Sequence, residues 1–150
     1  MQTVRDFEDM LELLEKHEVR YLIVGGLAFI FHAKPRYTKD IDIWVDFTPD
    51  NVDRANRALT EFGSPELLSK KRADEVLQIG VAPDRIDLLL RVNGRAFDEA
   101  WSRRVDSEYG GVVARWIGLD DLLAIKGAID HPRHREDARV LEQVKRRHRR

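Results

Sequence analysis

The stretch that decides the fold is Ile23-Val24-Gly25-Gly26, followed after thirteen residues by Asp40-Ile41-Asp42-Ile43. Arg20 to Val24 is a short apolar run ending on two glycines, which reads as a buried strand. Leu27 to Ala33 then reads as a short buried helix stopped by Pro35. Ile41, Ile43 and Val45 alternate with Asp40, Asp42 and Trp44, so this second strand carries an acidic side. Residues i and i+2 of a strand point to one face about 6.6 Å apart. Asp40 and Asp42 therefore present two carboxylates side by side, an arrangement that is costly unless a cation neutralises it. A hard, oxygen-seeking ion such as Mg²⁺, with Mn²⁺ as its substitute, is the natural partner. The bare backbone of Gly25-Gly26 between a strand and a helix suits the close approach of a phosphate to N–H groups.

A third acid lies further along. Arg85-Ile86-Asp87-Leu88-Leu89-Leu90 reads as a strand with one carboxylate among apolar neighbours. Such an Asp is expected to be paired, hydrogen-bonded or metal-bound. The competing reading is an ion pair with Arg85 or Arg91. Three acids on adjacent strands would support a two-metal site with ions roughly 3.5–4 Å apart and in-line phosphoryl chemistry.

The remaining pattern alternates helix and strand. Val4, Phe7, Met10, Leu11 and Leu14 recur at helical spacing over residues 3 to 18. Thr48-Pro49 opens a helix reaching Phe62, with Thr48 as the expected N-cap. Glu75 to Val81 and Arg85 to Leu90 read as strands around Ala82-Pro83-Asp84, and Phe97 to Arg103 as a helix. Val105 to Tyr109 and Val112 to Ile117 flank the hairpin signal Gly110-Gly111. Asp120 to Ile129 and Arg135 to Arg147 read as two closing helices around the break at Asp130-His131-Pro132. The expectation is an α/β (α+β) fold, a mixed sheet flanked by helices, with one domain over residues 1–144 and a basic tail over 145–150.

Composition narrows the classes. The chain has 150 residues, no cysteine, 43% hydrophobic and 35% charged residues, and a formal net charge of −1. That excludes a disulfide scaffold, a thiol nucleophile and a Cys-based zinc site. It also gives no global charge excess for nucleic acid or membrane. The near-apolar run from Tyr21 to Phe31 is far shorter than the roughly 20 residues of a membrane span. Asp6, Glu8 and Asp9 do not suit a signal peptide, so a cytoplasmic protein with no membrane partner is expected. His131 and His134 flank a proline break and read as a surface loop.

These residues together resemble the nucleotidyltransferase (DNA polymerase β-like) superfamily: Gly25-Gly26, Arg36, Thr38, Asp40-Ile41-Asp42-Ile43 and Asp87, in that order. More narrowly, the chain resembles small bacterial stand-alone members related to the toxin component of the AbiE abortive-infection system. That likeness rests on the R-I-D-L-L strand, the G-x-x-F-x-x-A-W segment from Gly94 to Trp101, and a late helix carrying Lys126-Gly127-Ala128. It implies a nucleotidyltransferase fold with Asp40, Asp42 and Asp87 as catalytic and metal-binding residues. It also implies Gly25, Gly26 and Lys126 at the nucleotide, with Arg36 and Thr38 at or beside it. The activity implied is Mg²⁺-dependent transfer of a nucleoside monophosphate from a nucleoside triphosphate to an acceptor hydroxyl on RNA or tRNA, a partner protein or a small molecule. The alternative is a non-catalytic binding module in a toxin–antitoxin or defence pair. For the transferase reading, a homodimer or an antitoxin-like partner chain would supply the acceptor-binding wall that so short a chain lacks. A D-x-D sugar transferase is a weaker competitor, because it leaves Gly25-Gly26 unexplained. The segment from Asp130 to Asp137 is longer than the family's compact closing motif.

Overall fold

The computed structural model describes residues 2–148. Six strands form one mixed sheet: β1 (Tyr21–Val24), β2 (Asp40–Val45), β3 (Leu77–Ile79), β4 (Arg85–Leu89), β5 (Val105–Tyr109) and β6 (Val112–Trp116). Their spatial order is β3-β4-β2-β1-β6-β5. β1 runs antiparallel to β2 and parallel to β6, while β2 and β4 are parallel. The hairpins β3–β4 and β5–β6 close the two edges. The acidic strand β2 thus lies inside the sheet, between β1 and β4.

Six helices accompany the sheet: α1 (Arg5–Lys16), α2 (Gly25–His32), α3 (Pro49–Phe62), α4 (Phe97–Ser102), α5 (Leu119–Gly127) and α6 (Pro132–His148). α1 packs on α3, and α2 packs on α5 and α6. The second group stands over the face that carries Asp42, because Gly25 of α2 and Lys126 of α5 line the same cleft as Asp42. The opposite face is the apolar row Tyr21, Ile23, Ile41, Ile43, Val45, Ile86 and Leu88, all buried. Strand alternation therefore sorts β2 and β4 into one apolar face and one face bearing the acids.

The expected fold is observed, with four local differences. β3 is three residues long, not seven, because Glu75 closes a preceding turn on Arg72 and Gly80 ends the run. Thr48 sits at the N-cap of α3, but its hydroxyl makes no capping bond. α6 begins at Pro132, where the sequence suggests a break. Proline is well suited to the first helical position, and His131 Nδ1 accepts a bond from Arg133 N at 3.2 Å. Lys145 to His148 form the last turn of α6, not part of a tail. Cations are favoured at a helix C-terminus, and Lys145 also pairs with Asp120 at 3.1 Å. Residues 149 and 150 of the expected tail lie outside the described residues.

Asn51 fixes the end of the β1–β2 pair opposite the acids, where Tyr21 faces Val45. It is fully buried; its Oδ1 accepts from Arg20 N at 2.7 Å, and its Nδ2 donates to Arg20 O at 3.0 Å and to Asp46 O at 2.9 Å. One amide thus ties the start of β1 to the end of β2. Asn51→Leu takes these partners from Arg20 N and Asp46 O, while Arg20 O keeps its bond from Asp46 N, and should cost about 2–3 kcal/mol. Urea denaturation of the variant checks this.

Candidate active site

The site begins with register. Asp42 of β2 is paired with Asp87 of β4, and Asp40 with Arg85. The three acids share one face, and one carboxylate oxygen from each lies within 4.8 Å of the others. Asp40 and Asp87 are buried; Asp42 is partly exposed. Burial, with Asp40 and Asp87 nearby, pushes the Asp42 carboxyl up to about 7, while Lys126 opposes the rise. Burial and Asp87 likewise raise Asp40 above the ordinary carboxylate range, with Arg85 opposing.

Arg85 answers part of this crowding. Its Nη2 donates to Asp40 Oδ2 at 2.6 Å, and its Nε and Nη2 donate to the two Asp87 oxygens at 2.8 and 2.9 Å. The ion-pair reading of Asp87 is thus realised alongside the cluster, with Arg85 and not Arg91 as the partner. Arg91 pairs instead with Asp74 at 3.0 Å.

Gly25 and Gly26 form the first turn of α2. Gly25 has φ +68, and a Cβ there would stand 2.0 Å from Asp42 Oδ2. A Cβ on Gly26 would stand 2.8 Å from Thr38 Oγ1 and 3.3 Å from Arg36 Nη2. The room left by both missing side chains is taken by the protein's own groups, so the glycine pair first serves to let the acidic strand and the Arg36–Thr38 loop close on α2. Thr38 donates to Asp40 O at 3.2 Å, which holds that loop against the start of β2.

A cationic cluster stands across the cleft. Lys126 is buried, and its Nζ donates to Asp137 Oδ2 at 3.0 Å and lies 3.3 Å from His134 Nδ1. Arg36 Nη2 donates to the same Asp137 oxygen at 2.9 Å. Two cations therefore share one carboxylate oxygen, leaving a net positive group. Burial lowers Lys126 below its ordinary value against the pull of Asp137. Burial, with Lys126 adjacent, also lowers His134. Asp137 and His134 could not be placed from sequence, since α6 begins on a proline; their positions i and i+3 on the first two turns were the available signal. His134 is part of the site and not of a surface loop, whereas His131 is exposed. Arg135 turns outward to Asp130.

Asp42, Gly25, Lys126 and His134 line a cleft of ≈ 290 Å³. A larger one of ≈ 500 Å³ shares Arg91 and Val92 with it and reaches Trp44, Asp46, Phe47 and Phe97. Trp44 follows Asp42 by two on β2, so the two clefts run along one strand face. Phe97, from the Gly94–Trp101 segment, packs edge-on against Trp44 with ring centroids 5.2 Å apart. Among the described residues no helix is long and apolar enough to cross a membrane.

This architecture is a nucleotidyltransferase fold. Among the solved structures that share it are two antibiotic-modifying proteins. One is the lincosamide antibiotic adenylyltransferase LnuA bound to lincomycin, with TM-score 0.61, 15% identity, and 95% of this chain and 98% of that chain covered. The other is ANT(2")-Ia in complex with adenylyl-2"-tobramycin, with TM-score 0.58, 14% identity, and 95% and 94% covered. No protein-family model matches the chain, and no curated relative matches it in sequence. The narrower likeness to AbiE toxins remains a likeness of motifs.

The raised Asp42 carboxyl has a measurable sign. A carboxyl that holds its proton more tightly folded than unfolded makes stability fall as pH rises from the unfolded value to the folded one. In EDTA, wild type should therefore lose stability relative to Asp42→Asn between about pH 4 and about pH 7. Urea denaturation of both proteins at pH 5 and pH 8 checks this; a difference that is the same at both would refute the shift.

Proposed function

We propose that this protein is a divalent-metal-dependent nucleotidyltransferase that moves a nucleoside monophosphate from a nucleoside triphosphate to a hydroxyl of a small polyhydroxylated acceptor. The observation that carries this reading is the pairing of opposite charge across one cleft: Asp42 of the acid cluster on one wall, Lys126 with His134 on the other. The two solved structures are bound to lincomycin and to adenylyl-2"-tobramycin, and this chain matches them over nearly their whole length. This favours a small acceptor over RNA.

Three carboxylate oxygens within 4.8 Å form the donor set of a hard divalent cation. Asp40, Asp42 and Asp87 would hold the metal, Mg²⁺ by preference and Mn²⁺ in its place, which supplies charge neutralisation for the phosphates. Arg36 and Lys126 bind and orient the triphosphate, the first as a fork and the second as a point charge. The first turn of α2 adds backbone N–H groups on the same side. The acceptor would lie along the larger cleft beside Trp44 and Phe97, on the strand face that also carries Asp87, with its hydroxyl toward that acid. The hydroxyl oxygen then bonds to the α-phosphorus, and the bond from that phosphorus to the bridging oxygen breaks. Pyrophosphate leaves, and the hydroxyl proton passes to the Asp87 carboxylate and on to solvent. Positioning and electrostatic stabilisation supply most of the rate in such transfers.

The deciding assay incubates the protein with Mg²⁺ or Mn²⁺ and each α-labelled nucleoside triphosphate. Lincosamides, aminoglycosides, total RNA and cell extract are offered as separate acceptors. Label should appear on a small acceptor and fall by about 10²–10³-fold in Asp42→Asn, since the amide lacks the charge that neutralisation requires. Transfer undiminished by that change would sink the mechanism. Label on RNA alone would reassign the acceptor, and metal-dependent nucleotide binding without any transfer would leave a binding module. Lys126→Met should weaken nucleotide binding by about tenfold, the worth of one charge-assisted hydrogen bond. Fluorescent nucleotide titration reads that change.

A further inference from the structure

Arg85 bonds directly to two of the three acids, yet it has no role in the reaction above. It opens β4 two residues before Asp87, so alternation puts both side chains on the site face. Parallel register sets it opposite Asp40 of β2. Three of its five N–H donors are spent on the acids, two on Asp87 and one on Asp40. The Arg85 side chain is 20% exposed, against 10% for Asp40 and 7% for Asp87. The Arg85 side chain is thus the most solvent-accessible of the three and has a route to solvent.

We propose that Arg85 is the resident counter-cation of the acid cluster, and that a divalent metal and this guanidinium compete for Asp40 and Asp87. The inference rests on the proposed metal site. With Arg85 seated, both Asp87 oxygens accept N–H bonds, and Asp87 is poorly placed to take a proton from an acceptor hydroxyl. Withdrawal of the guanidinium toward solvent frees the metal ligands and the proton acceptor in one movement. Arg85 thus stabilises the metal-free site and taxes metal entry by the fraction of time it stays seated. If the withdrawn state is populated about one part in ten, the apparent affinity is reduced about tenfold. A positive charge left beside the loaded site would oppose the metal further.

The test is Mn²⁺ binding, free of any activity readout. Isothermal titration and the electron paramagnetic resonance signal of unbound Mn²⁺ are recorded for wild type, Arg85→Gln, Arg85→Lys and Asp42→Asn. Melting temperatures are measured in EDTA and in saturating Mn²⁺. Arg85→Gln should bind Mn²⁺ about tenfold tighter or more. It should also melt lower than wild type in EDTA and gain more from Mn²⁺. Arg85→Lys should fall between, since an ammonium keeps the charge and loses the fork. Equal or weaker Mn²⁺ binding by Arg85→Gln would overturn the competition and make Arg85 a companion of the metal. If Arg85→Gln does not fold, Arg85→Lys decides: tighter binding supports the proposal, and equal or weaker binding defeats it. The outcomes separate from those of the underlying reading. Wild-type binding lost in Asp42→Asn upholds the metal site whatever Arg85 does, and no binding by wild type or either Arg85 variant ends both.

Discussion

Three like charges held within a few ångströms are the constraint on which the site depends. Backbone pairing enforces it, because register puts Asp42 beside Asp87 and Asp40 beside Arg85, so the carboxylates cannot drift apart without breaking ladder bonds. Their repulsion has to be met in place. The fold meets it in several ways: a guanidinium bridges Asp40 and Asp87, a raised proton affinity sits on Asp42, and Lys126 contributes from across the cleft. Each response is local. Neither Asp40 nor Asp42 could be moved one position along β2 without turning onto the apolar face of Ile41 and Ile43.

The same constraint explains the glycine pair. In sequence, Gly25-Gly26 suits a phosphate cradle, and the first turn of α2 does present its backbone to the cleft. Yet the nearest occupants of the missing side chains are Asp42 at one glycine, and Thr38 with Arg36 at the other. The bare backbone is needed before any ligand arrives. Without it, α2 could not lie close enough to β2 for the acids, the Arg36 loop and the helix start to converge.

Much of this was legible because it is local. The β1–α2–β2 run, the β5–β6 hairpin around Gly110-Gly111 and the acid on β4 all follow from alternation, turn residues and the cost of a carboxylate among apolar neighbours. What was hidden is non-local. Arg85 could be read as a partner of Asp87, but its bond to Asp40 needs the parallel pairing of strands 45 residues apart in sequence. Asp137 meets Arg36 across 101 residues, and no spacing rule announces that. Asn51 reads as an ordinary polar residue on a helix, and its burial follows only from the backbone groups of Arg20 and Asp46 that it satisfies. His134 was obscured by Pro132, which marks a break in a helix interior and is tolerated as a helix start.

The charge layout bears on what ligand the cleft can take. On one wall the acids hold an arginine, and on the other Arg36 and Lys126 hold Asp137. Each half is partly compensated from within, which eases the burial of its ionised groups, and a surplus of one sign remains on each side. A lone anion drawn to the cationic side would have to contend with Asp137, and a lone cation drawn to the acids would have to contend with Arg85. A metal–triphosphate carries both signs in one body. It can engage the acids through its metal and the cations through its phosphates, so each internal partner is released against a like-signed replacement. The formal net charge of −1 conceals this division, and the division is the strongest physical reason to expect a metal-bound nucleotide in the cleft rather than either component alone.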